Sequence, residues 1–150
     1  MIQALTGADV IKINENIFSD LAPGDTVTLE YPNDLGVVKT GKNGNSIFAF
    51  NATGQNVKVK VRLIAGSTDD KFLQTLLASW IKDPSGFTLM TGQFIKTVGD
   101  GAGNRSSVVY DLSGGIFTKI PIAKENVEGD TEQAVVQYDL SFSNGPRSIA

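Results

Sequence analysis

Two residue types are missing altogether from the 150 residues, cysteine and histidine. Without cysteine there is no disulfide, no thiolate metal site and no sulfur nucleophile. Without histidine, the usual general base near neutral pH and the commonest metal ligand are gone too. An enzyme built on this chain would have to work with paired carboxylates or a lysine. No apolar run is long enough to cross a bilayer as a helix. The amino-terminal MIQALTGADVIKINENIF has no basic stretch followed by an apolar one, so no signal peptide is read and a soluble, intracellular protein is expected. An excess of positive charge is lacking as well: 13 basic residues against 16 acidic give a net charge of −3. Non-specific attraction of the whole molecule to nucleic acid is therefore not expected.

What is present is ordinary globular material, 41% hydrophobic and 19% charged. A chain of this length buries roughly two-thirds of its unfolded surface and holds a core unaided, so one domain over 1–150 is expected. Strand signals dominate. Asn56 to Gly66, NVKVKVRLIAG, sets Val57, Val59, Val61 and Leu63 on one side and Lys58, Lys60 and Arg62 on the other. EQAVVQYDLSFS alternates likewise, with Ala134, Val136, Tyr138, Leu140 and Phe142 inward and Gln133, Gln137, Asp139, Ser141 and Ser143 on the other face. DVIKINENIF fits one short strand over 9–18, and TVTLEYP places Val27, Leu29 and Tyr31 together. SIFAFNA, FTLMTGQFIKTV, SSVVYDL and GIFTKIPI add further strands, while Pro32 and Pro121 mark edges because proline offers no ladder N–H.

One segment has the other period. In STDDKFLQTLLASWIKDP, Phe72, Leu73, Leu76, Leu77, Trp80 and Ile81 fall on one helical face. Ser67 or Thr68 supplies the cap, Asp69 and Asp70 suit the positive end of the dipole, and Asp83-Pro84 ends the helix. The spacing predicts a helix over about 68–82. The expected fold is mostly β (α+β): two packed antiparallel sheets, a β-barrel-like sandwich with this one flanking helix.

The polar loops carry the candidate motifs. Residues 33–46 hold three glycines and four Asn or Asp residues, and Lys42-Asn43-Gly44 fits the tip of a hairpin with a type I′ turn. This stretch is long and polar enough to protrude as an arm. Gly99-Asp100-Gly101-Ala102-Gly103 invites a phosphate-loop reading, but a strand rather than a helix follows and no Lys-Ser/Thr closes it, so a hairpin loop is expected. Glu125, Glu128, Asp130 and Glu132 lack the dense order that wraps Ca²⁺ and are expected to be a solvated acidic loop. No constellation suited to catalysis, a cofactor or a metal stands out, and Trp80 is expected to pack in the core.

From TVTLEYP to QYDLSFSNG, the order of elements resembles bacteriophage tail tube proteins of the contractile type, a family of small phage structural proteins. Its carriers are the arm DLGVVKTGKNGN, the strand VKVKVRLIAG running into KFLQTLLASWI, the pair FTLMTGQFIKTV and SSVVYDLSGGIF, and the terminal EQAVVQYDLSF. The resemblance implies a virion protein of the tail, assembled in the host cytoplasm, with no catalytic residue and no cofactor. Six copies would close a ring, rings would stack into a tube inside a sheath, and DNA would pass through the lumen without specific binding. Sheath, baseplate and terminator proteins would be its partners, with no membrane anchor. The arm, with Asp34, Gly36, Lys39, Gly41, Lys42, Asn43 and Gly44, becomes the inter-ring candidate, and 144–150 a short tail. Gln133, Gln137, Asp139, Ser141 and Ser143 become the candidate lumen face. Lys58, Lys60 and Arg62 would make passing DNA stick, so they are expected at a subunit or sheath interface, with Asp69, Asp70 or the 125–132 loop as partners. Two rivals remain: a non-catalytic β-sandwich binding or adaptor module, which would display clustered aromatics or a Ca²⁺ site on loops, and an enzyme using distant carboxylates brought together.

Overall fold

A computed structural model describes residues 4–5, 9–22, 26–123 and 134–149. The elements run β1 (Ala4–Leu5), β2 (Val10–Ile13), β3 (Asn16–Ile17), β4 (Val27–Glu30), β5 (Gly36–Thr40), β6 (Ser46–Phe50), a 3₁₀ turn (Ala52–Gln55), β7 (Val57–Ile64), α1 (Thr68–Lys82), β8 (Met90–Gly99), β9 (Arg105–Phe117), β10 (Ile122–Ala123), β11 (Val135–Asn144) and β12 (Arg147–Ile149). Over the described residues the fold is mostly β with one α-helix and two antiparallel sheets. The larger follows the path β3-β2-β8-β9-β11-β7-β4 and does not close into a barrel; the smaller is the hairpin β5-β6.

β7 forms the centre of the core for the reason its alternation suggests. Val57, Val59, Val61 and Leu63 have no exposed surface. They meet Tyr138, Leu140 and Phe142 of β11, Ile11 and Ile13 of β2, and Leu73 and Leu77 of α1 in one cluster. The helix spans the expected residues. Its cap is Ser67, whose Oγ accepts the Asp70 N–H at 3.2 Å. Its apolar face ends sooner than the spacing suggests: Trp80 is half-buried, edge-on to Phe87 at 5.2 Å, and Ile81 is exposed.

Several strand expectations change. Residues 9–18 are a tight hairpin, β2 and β3, turning through Asn14 and Glu15 at φ 48° and 68°. No glycine signals that turn; Asn14 tolerates the left-handed region, and its Oδ1 accepts the Thr91 N–H at 3.0 Å. SSVVYDL and GIF form one strand, β9, which passes through Gly114 at φ +67°. A Cβ at Gly115 would stand 2.4 Å from the Phe142 ring, so this crossing needs glycine. Ala134 is exposed rather than inward, because Val135 and Val136 both turn into the protein at the start of β11. The expected tail carries β12, which pairs Arg147, Ser148 and Ile149 with Tyr110, Val109 and Val108 of β9.

Tyr138 joins sheet and helix. Its hydroxyl donates to Asp70 Oδ1 at 2.6 Å from a fully buried ring. Burial first, and the bond to Asp70 second, push that hydroxyl well above the usual tyrosine range. The folded state thus keeps a proton that the unfolded chain releases at about pH 10. Stability from this site is complete below that pH and declines as pH rises past it. Urea midpoints measured between about pH 9 and 11 should fall less steeply for Tyr138→Phe than for the parent chain; equal slopes would show that another group sets the alkaline limit.

Candidate interaction surfaces

The two surfaces singled out in the sequence, one basic and one polar, lie side by side. In the β7–β11 ladder Arg62 stands opposite Gln137, Lys60 opposite Asp139 and Lys58 opposite Ser141. On the other edge of β7, Thr28 faces Lys60 and Glu30 faces Lys58. Directly paired residues of an antiparallel ladder point to the same side. The candidate lumen residues Gln137, Asp139 and Ser141, and the candidate interface residues Lys58, Lys60 and Arg62, therefore lie on one continuous face. Ser143 continues it, its Oγ donating to the Ser113 carbonyl at 3.2 Å, while Gln133 lies outside the described residues.

Register also brings in residues the sequence left unremarked. Thr118 donates its N–H to the Asp139 carbonyl at 3.1 Å, and Lys119 joins Lys58, Lys60, Glu30 and Asp139 around a cleft of about 260 Å³. The surface thus sets four cations, Lys58, Lys60, Arg62 and Lys119, against two carboxylates, Glu30 and Asp139. Among the described residues neither Lys58 nor Lys60 forms an ion pair; the pair present is Lys96 Nζ to Asp9 Oδ2 at 3.9 Å.

Two of the carboxylates expected to meet these cations, Asp69 and Asp70, are otherwise engaged. Asp69 is 3% exposed, and its Oδ2 accepts the backbone N–H groups of Ser19 and Asp20, both at 2.7 Å. It ties the chain after β3 to the helix start and is out of reach of any partner. Asp70 holds Tyr138 through Oδ1 and the Gly66 N–H through Oδ2 at 2.9 Å. The 125–132 segment lies outside the described residues.

The glycine loop at 99–105 is a hairpin connection between β8 and β9. Its inward N–H groups are taken by the loop's own carboxylate: Asp100 Oδ1 accepts from Ala102 at 2.7 Å and from Asn104 at 3.1 Å. Those bonds, the Ala102 one foremost, hold the Asp100 carboxyl below its usual range. An ionised carboxylate already occupies the position where a phosphate would have to bind.

The arm differs most from its sequence reading. Every residue from 31 to 50 is exposed, including Asp34, Gly36, Lys39, Gly41, Lys42, Asn43 and Gly44. The turn is not type I′, since Asn43 keeps a negative φ. Gly44 N–H donates to the Gly41 carbonyl at 3.0 Å, and Gly44 alone takes the left-handed conformation, at φ +83°, as in a three-residue hairpin loop. The arm also extends past 46. SIFAF, expected to lead into the sheet, is its second strand, paired among the described residues with β5 alone. Ile47, Phe48 and Phe50 are 73%, 78% and 71% exposed. The polar tip thus stands on strongly apolar strands. The foot is anchored: Asn51 N–H donates to the Leu35 carbonyl at 2.7 Å, Tyr31 donates to the Gly145 carbonyl, and a Cβ at Gly54 would lie 2.5 Å from the Leu35 backbone.

The sequence matches no protein-family profile and no curated protein. Solved structures do share the fold. A chain of the anti-feeding prophage cap, the AFP tube terminating cap, superposes with a TM-score of 0.61 at 11% identity over 98% of this chain and 91% of that one. A chain of the PVC sheath–tube complex, an extracellular contractile injection system in the extended state, gives 0.59 at 13% identity over 95% and 88%. A chain of the PVC sheath/tube terminator in the extended state gives 0.58 at 14% over 93% and 92%. At these identities the likeness is one of fold.

Proposed function

We propose that this chain is a structural subunit of a contractile tail, forming hexameric rings that stack into the inner tube of the phage type and let DNA pass without specific binding. The observation that carries the reading is the apolar hairpin of residues 36–50, which projects from a fold similar to chains of tube-containing assemblies. Exposed apolar surface of this extent on a soluble chain marks a contact site. No catalytic role is assigned. Assembly takes place in the host cytoplasm, and sheath and baseplate proteins are the further partners. Negative-stain images and light scattering of the concentrated protein test the proposal: rings stacked into tubes are expected, and a strict monomer at every concentration, including in the presence of tail baseplates, sinks it.

Two other readings have support of their own. The tube-terminator likenesses favour a chain that closes a tube rather than extends it, and single rings that never stack would select that role. Phe48 and Phe50 together are the exposed aromatic pair that a binding or adaptor module would display, and a monomer that uses them on another protein would select that one.

The mixed-charge surface on β4, β7 and β11 is assigned to a subunit or sheath contact rather than to the channel wall. Its excess of cations would retain DNA through phosphate neutralisation, and Gln137, Asp139, Ser141 and Ser143 follow the cations to the same role. Opposite-sign patches select partner and register more than they add affinity. Replacing Lys58, Lys60 and Arg62 together by Glu is expected to abolish stacking or sheath attachment with the monomer intact. Normal tubes with altered DNA passage would put the surface in the lumen instead.

A further inference from the structure

Among the described residues nothing covers the arm, and a cleft lies open at its foot. In the β5–β6 register Val38 faces Phe48 and Gly36 faces Phe50, so these three side chains form one ridge with a gap where Gly36 has none. An isolated two-stranded hairpin is marginal in water. The anchored foot holds this one off the body, and Phe48 and Phe50 remain largely exposed. Beside the foot lies an open, mostly apolar cleft of about 530 Å³, lined by Tyr31, Leu35, Gly145, Pro146, Gln55 and Arg147 among others. Its floor is fixed by the core, because a Cβ at Gly145 would press on Val57 at 2.7 Å and on Leu112 at 2.9 Å. At its edge the Arg147 guanidinium lies 5.8 Å from the centre of the Tyr110 ring.

We infer that the Val38–Phe48–Phe50 ridge of one copy seats in the Tyr31–Leu35–Pro146 cleft of the next, making arm and cleft the two halves of one head-to-tail contact. This rests on the assembly reading above and names the receptor for the arm. The area is of the right order. Two phenylalanines supply about 300 Å² and Val38, on the same side, adds to it, about half of the roughly 800 Å² per partner of a standard interface. The occupant is a second copy because an exposed apolar ridge and a mostly apolar cleft sit on one chain, so that each copy carries both halves of the contact. A foreign partner taking the ridge leaves the cleft open, whereas a ring of identical copies fills every cleft and covers every ridge.

The absence of native cysteine makes the test clean. Full-length Phe48→Cys protein is mixed with Gln55→Cys protein under assembly conditions and oxidised. Thr40→Cys, on the same side of the arm, is a second probe that leaves the ridge intact. Phe48→Cys with Ser85→Cys, beyond the far end of α1, is the control pair. The expected result is a crosslinked dimer with Gln55→Cys that the control pair lacks. Rings or tubes that form without a crosslink from either arm probe overturn the docking and leave the assembly reading standing. A crosslink within a single chain carrying both Thr40→Cys and Gln55→Cys overturns the docking as well. Absence of any assembly, in the parent protein too, removes both.

Discussion

Phe48→Asp is expected to abolish rings and tubes while leaving the unfolding midpoint of the isolated subunit where it was. Phe48 is 78% exposed and makes no contact with the core cluster. A substitution at such a position changes the stability of the free subunit by no more than about 0.5 kcal/mol. In the proposed assembly the same residue would be a central apolar anchor, and a carboxylate there would be desolvated without a partner, a change of the kind that costs interfaces several kcal/mol. The two effects differ enough that a single variant separates them. Thermal unfolding in dilute solution and electron microscopy at high concentration are the paired measurements. Tubes of normal appearance from Phe48→Asp would remove the arm from the contact, and a large fall in the midpoint would mean the hairpin packs on its own subunit.

Asp69→Ala is expected to have the opposite profile, with the subunit itself strongly destabilised. The carboxylate is buried and accepts two backbone N–H groups, from Ser19 and Asp20, at 2.7 Å. Hydrogen bonds to a charged group contribute about 1.5–3 kcal/mol each, and alanine leaves both donors without an acceptor. A loss of about 3 kcal/mol overall, or on the order of 10 °C in Tm for a chain of this size, is the expected result. Asp69→Asn retains an acceptor oxygen and should recover part of the loss. A shift within 2 °C for Asp69→Ala would mean that water reaches Ser19 and Asp20, contrary to the closed packing beneath Phe18, whose ring meets Phe72 edge-on at 6.2 Å.

Asp69 illustrates why part of the structure was legible in the sequence and part was not. Its place in the first helical turn is a local matter, visible in Ser67-Thr68-Asp69-Asp70, and favourable there on dipole grounds alone. That its side chain turns away from solvent to hold the chain after β3, about fifty residues earlier, depends on where that chain passes. Period-2 alternation determined the inward residues of β7 and most of those of β11, and period 3.6 determined the helix over 68–82, because both periods are properties of the backbone within a few residues. Alternation tells which side chains of one strand share a side. It does not tell which sides of two strands coincide, so the lysines of β7 and the polar residues of β11 read as separate surfaces until pairing placed Lys60 opposite Asp139. Nor does it tell whether anything covers an apolar side: SIFAF carries the same pattern as a core strand, yet among the described residues only β5 pairs with it. Register and cover are non-local, fixed by contacts between residues far apart in the chain, and they decided where this protein's charged face and its apolar arm lie.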